Sequence, residues 1–101
     1  MAAQMFDRDF DNQMQGVMRA CIDELSGIYN EVVSVMAHTV ADHRARSEHL
    51  KALCVKIKLS ESRVQSAQWE IQRKGQRSSS ELNLLYAMAR KVIKGIEILL
   101  T

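Results

Sequence analysis

From Met14 onward, apolar residues recur at alternating gaps of four and three: Met14, Met18, Cys21, Leu25, Ile28, Val32 and Val35. That period is the signature of one buried helical face. Ile22, Tyr29 and Met36 each lie one position beyond a member of this seam. The stripe therefore takes about three positions in seven, wider than a two-stranded contact needs, and predicts several helices packed around this segment.

The pattern weakens from Thr39 to His49, where Asp42 and Arg46 fall at the expected core positions. Two readings compete. A single helix from Asp11 to Lys74 continues through, its seam stepping eleven residues from Thr39 to Leu50 as a stutter, with a length of about 95 Å. Alternatively the helix breaks near 39–48, and Thr39 and Asp42 begin a capping turn. The absence of Gly, Pro and Asn from this stretch favours continuity.

A second, thinner seam follows at a strict seven-residue step: Leu50, Ile57, Val64 and Ile71. Its companions are Leu53 (or Cys54), Ser60, Ala67 and Lys74, mostly small or polar, which suits one or two close neighbours. Lys74-Gly75-Gln76-Arg77-Ser78-Ser79-Ser80 is the clearest break. Gly75 can end a helix in the left-handed conformation, and Ser78 with Glu81 reads as a capping box for the next one. The last helix carries Leu82, Leu85, Ala89, Val92, Ile96 and Leu99, widened by Tyr86, Ile93 and Leu100. At the other end, Asp11 is a candidate N-cap, Asp9 competes with it, and residues 1–10 read as a flexible lead-in.

The expected fold is all-α: a long helix, with the 39–48 break open, and an antiparallel C-terminal helix. It is a helical hairpin or a three-helix bundle with coiled-coil packing, one domain over 11–101. Composition agrees, with 101 residues, no proline and only 5% aromatics. No run of about 18 apolar residues exists to span a membrane. The N-terminal Asp7, Asp9 and Asp11 do not resemble a secretory signal. Two cysteines without such a signal imply free thiols in a reducing, cytoplasmic setting.

Charge is distributed unevenly. Residues 1–37 carry two basic against six acidic side chains, while residues 38–77 carry nine basic against four acidic. Such asymmetry selects partners and their orientation. Arg44, Arg46, Lys51, Lys56, Lys58 and Arg63 form a basic patch able to meet nucleic acid or an acidic membrane. A reading helix, stacking aromatics or a high net charge would normally accompany nucleic-acid binding. His38 and Asp42, at i and i+4, are the one acid–base pair. His38, His43 and His49 do not share a helix face, so neither a metal site nor a cofactor is expected. Cys21 and Cys54 lie on the seams as small apolar residues. Ser78, Ser79 and Ser80 follow Arg77 and offer phosphorylatable hydroxyls, although capping alone accounts for them.

What remains is a non-catalytic helical subunit whose stripes bind another helical protein, or its own copies. The candidate partner-binding set is Met18, Leu25, Ile28, Tyr29, Val32, Val35, Trp69, Leu85, Tyr86, Val92, Ile96 and Leu99. Trp69 belongs to it because Val64 and Ile71 face inward, which turns Trp69 outward. The last helix folding over Trp69 is the competing reading.

The segment Glu48-His49-Leu50-Lys51-Ala52-Leu53, followed by basic residues and Leu59, resembles part of the intraflagellar transport subunit 20 family. Valine-rich residues 32–40 precede it in the same order. The resemblance spans roughly 30 residues of a common coiled-coil pattern, and the Gly75–Ser80 break and the early end depart from it. It implies a cargo-adaptor subunit paired with another coiled-coil chain, associated with the cilium or cytoskeleton, and it assigns no functional residues.

Overall fold

A computed structural model of the chain describes residues 6–37, 43–75 and 77–100. Three helices account for nearly all of them: α1 (Arg8–Ala37), α2 (His43–Lys74) and α3 (Ser80–Leu100). Contacts between Glu24 and Arg63, and between Glu31 and His49, run in opposite chain directions, so α2 lies antiparallel to α1. Asp11 meets Ser79 and Tyr29 lies near Gly95, so α3 runs parallel to α1. The result is a slender bundle of 66 × 20 × 18 Å.

The break reading is thus the right one, and the continuous helix is corrected. α1 and α2 are separate, because the broad α1 stripe is buried only if other helices lie alongside it. A straight helix would leave it in water, and burial at about 25 cal/mol per Å² outweighs local helix preference. The proposed Thr39–Asp42 cap lies outside the described residues.

α1 is the spine, contacting α3 most extensively and α2 next, while α2 and α3 touch least. Its seam from Met14 to Val32 is buried, and Val35 is half-buried. α2 contributes Leu53, Ile57, Ser60, Val64, Ala67 and Ile71. The small Ser60 and Ala67 suit its thin seam, while Lys74 is exposed and Leu50 half-buried. α3 contributes Leu82, Ala89, Ile93 and Ile96, and buries Ile93 more fully than Val92.

The helix ends correct two further expectations. Asp7, rather than Asp11 or Asp9, caps α1: its Oδ1 accepts from the Phe10 N–H at 3.1 Å, and its carbonyl accepts from the Asp11 N–H at 3.0 Å. Ser79, not Ser78, caps α3, its Oγ accepting from the Leu82 N–H at 3.1 Å. The third helical position is therefore Leu82, and Glu81 serves the helix dipole instead of a capping box.

Gly75 does end α2 with φ of 64°, its N–H donating to the Gln72 carbonyl at 3.1 Å. By contrast Gly27 is exposed in mid-α1, with open space where a Cβ would lie. Opposite outcomes are expected from the same substitution. Gly27→Ala should stabilise the fold by about 0.5–1 kcal/mol, and Gly75→Ala should destabilise it by about 1 kcal/mol. Thermal melts of the two variants check the sign.

Candidate functional site

The sequence-derived partner set divides in two. Met18, Leu25, Ile28, Val32 and Ile96 lie inside the chain's own core. They are corrected from partner-facing to intramolecular, because α2 and α3 supply the cover that the stripe calls for. Val35, Leu85, Tyr86, Val92 and Leu99 are half-buried at the edges of the helix contacts. Tyr29 and Trp69 are outward-facing, at 39% and 59% exposure. α3 does not fold over Trp69, which removes that alternative.

Two apolar surfaces remain uncovered. The first is a groove of about 430 Å³ between α1 and α3, lined by Ser26, Tyr29, Asn30, Met88, Lys91, Val92 and Gly95. Gly95 leaves room beside the Tyr29 ring, where an added Cβ would stand 3.8 Å from Cε2. Val33, Met36 and Leu84 extend exposed apolar surface along the same two helices. Sequence reasoning placed Val92 here but missed Met88 and Gly95. The heptad spacing of Leu84, Met88, Lys91, Gly95 and Ile98 was the available signal.

The second is the outer face of α2. Val55, Leu59 and Trp69 are 60%, 57% and 59% exposed, and Ala52, Ser62 and Ser66 are exposed between them. The Arg73 guanidinium stacks over the Trp69 ring at 5.3 Å and pairs with Glu70 at 2.9 Å. The Lys74 ammonium sits 4.8 Å over the Phe10 ring, fastening the end of α2 to the start of α1.

The basic patch is not one continuous strip. Lys51, Lys56 and Lys58 are exposed, Arg46 is half-buried, and Arg44 is engaged elsewhere. Arg63 pairs with Glu24 at 3.1 Å, and the fully buried Ser60 hydroxyl donates to the other Glu24 oxygen. The Ser60 hydrogen bond, with Arg63 and Lys56 nearby, holds the Glu24 carboxyl below its ordinary range despite some burial. Arg90 reaches Glu61 at 3.6 Å across α2 and α3.

A polar chain crosses the base of the bundle. Arg19 donates to Gln15, Gln15 donates to Asp11, and Asp11 accepts from both the Ser79 N–H and the Ser79 hydroxyl. Asp11 is 4% exposed. Burial by itself would raise its carboxyl, but the Ser79 backbone, the Ser79 hydroxyl and the Gln15 amide together hold it below the ordinary aspartate range. Ser79 is therefore held twice, as a cap and as a donor to Asp11.

The cysteines are free, with Cys21 buried and Cys54 half-buried. Burial pushes the Cys21 thiol up, against the pull of Arg63, so it is a poor nucleophile. Among the described residues, no three potential metal ligands converge and no helix is long and apolar enough to cross a membrane. His49 approaches Glu31 at 3.9 Å, whereas His38 and Asp42 lie outside the described residues. No protein-family model, curated protein or solved structure matches the chain.

Proposed function

We propose that this chain is a non-catalytic helical interaction subunit, assembling with itself or with another helical chain in a larger complex. The observation that carries the reading is the apolar surface left after the bundle has formed its core. Tyr29, Val33, Met36 and Met88 on one side, and Val55, Leu59 and Trp69 on the other, are each at least 39% exposed. Exposed apolar residues that fall in register along helix faces differ from the scattered ones of an ordinary surface. The α1–α3 groove has the form of a seat for an amphipathic helix, with Lys91 available to an acidic partner side chain. A transport or adaptor assembly is the narrower version, and it rests on Glu48–Leu59 alone.

Light scattering of the purified chain over a range of concentrations tests this reading. Association that survives high salt and falls with Met88→Glu or Trp69→Glu is expected, because burial rather than charge drives it. A chain that stays monomeric at high concentration, and gains no solubility from those substitutions, overturns the reading. Binding to nucleic acid that weakens steeply with salt would replace it with the basic-module alternative through residues 44–63.

A further inference from the structure

The outer face of α2 repeats with its own heptad, separate from the seam that faces α1. Glu48, Ala52, Val55, Leu59, Ser62, Ser66, Trp69 and Arg73 follow one another at alternating gaps of four and three. All eight are exposed. Large and small residues divide this row in a particular way. Let a second α2 lie antiparallel on it, with the two-fold axis between Leu59 and Ser62. Each row then pairs one large residue with one small one: Trp69 faces Ala52, Leu59 faces Ser62, and Val55 faces Ser66. The outermost row pairs Glu48 with Arg73, opposite charges at both ends of the contact.

We propose that a second copy of this chain docks antiparallel on this face, so that α2 pairs with α2 about a two-fold axis. The proposal rests on the reading of the chain as an interaction subunit and names the occupant of one of its surfaces. Two further observations support it. A hollow of about 280 Å³ opens beside the small residues, lined by Met14, Val17, Ser62, Arg63, Ser66, Ala67 and Glu70. It lies where Leu59 and Val55 of the second copy would enter, as knobs enter holes in packed helices.

The flanks also select the orientation. A parallel pair would set Lys51 against Lys56 and Lys58 against Arg63 on both sides. The antiparallel pair sets Lys51 against Gln72, Lys58 against Gln65 and His49 against Glu70. Only Lys56 and Arg63 then meet as like charges, and Arg63 is already paired with Glu24. Sliding the antiparallel pair by one heptad would place Leu59 against Trp69, or against Val55, and lose the size match. A symmetric contact of this type is closed and self-complementary, so assembly stops at two copies.

Trp69 is the single tryptophan of the chain and reports directly on the contact. Its emission should shift to the blue as concentration rises, in step with the dimer mass measured by sedimentation equilibrium. Ala52→Trp, on an exposed position, should leave helical content intact and weaken dimerisation about tenfold or more by setting two tryptophans against each other. Ala52→Trp combined with Trp69→Ala restores the match and should recover dimerisation. Glu48→Arg should weaken the dimer, and Glu48→Arg with Arg73→Glu should restore it. High salt should leave the dimer intact or strengthen it, because the residual Lys56–Arg63 repulsion is screened.

A dimer indifferent to Ala52→Trp, with water-like Trp69 emission, overturns the proposal and leaves the interaction-subunit reading in place through the α1–α3 groove. Absence of any association overturns both. A blue shift of Trp69 produced only by anionic phospholipid vesicles assigns the face to a membrane surface and overturns the proposal.

Discussion

Leu25→Ala is expected to destabilise the isolated chain by about 3 kcal/mol, enough to lower its melting temperature by roughly 10–20 °C. Leu25 is fully buried in α1, the helix that contacts both others. The truncation removes apolar area already withdrawn from water. It also leaves a cavity that helices fastened at Asp11–Ser79 and Glu24–Ser60 are ill placed to collapse into. For a domain whose whole stability is about 5–15 kcal/mol, that is a large fraction. Leu84→Ala provides the contrast. Leu84 is 61% exposed, and its truncation should change stability by no more than about 0.5 kcal/mol. Urea unfolding of both variants, followed by circular dichroism, distinguishes them. Equal losses would show that the stripe containing Leu25 is not the intramolecular core.

The second large effect is at Asp11. Asp11→Ala should cost about 2–4 kcal/mol, since it removes a charged acceptor and strands the Ser79 N–H and hydroxyl and the Gln15 amide in a partly buried place. Asp11→Asn keeps the shape and should cost less. Its signature is in the pH dependence. The folded Asp11 carboxyl titrates below its unfolded value of about 3.9, so its contribution is fully present above that value and is lost as pH falls through the folded one. Glu24, also held low in the fold, adds a loss of the same sign. Wild-type stability should therefore decline from about pH 5 toward pH 2, and the decline should be shallower in Asp11→Asn. Identical slopes in the two proteins would refute the role assigned to the Asp11–Ser79 contact.

The seams were readable because helical burial has a short period: Met14 to Val32 and Leu82 to Ile96 announce themselves within a few turns. Gly75 was readable for a similarly local reason. The turn between α1 and α2 was not, because no Gly or Pro marks it. It follows from the demand of the α1 stripe for cover, which is a property of the whole chain. The same limit misassigned Met18, Leu25, Ile28, Val32 and Ile96. A stripe states that it must be covered, without stating whether the cover comes from the same molecule.

Asp11 looked like a local cap because its partner, Ser79, is 68 positions away and becomes a neighbour only after folding. Trp69 was legible as outward-facing from its offset to Val64 and Ile71. The register of small and large residues on its face carries meaning only once that face is known to be free.

The proportions of the molecule determine how its state must be measured. A particle 66 Å long and 20 Å wide drags more solvent than a sphere of equal mass. It will leave a sizing column early, and a lone copy can pass there for two. Methods that weigh the particle avoid that error. Two such rods joined flank to flank would double the mass while adding little to the longest dimension, so solution X-ray scattering separates lateral pairing from end-to-end joining by whether the maximum diameter stays the same.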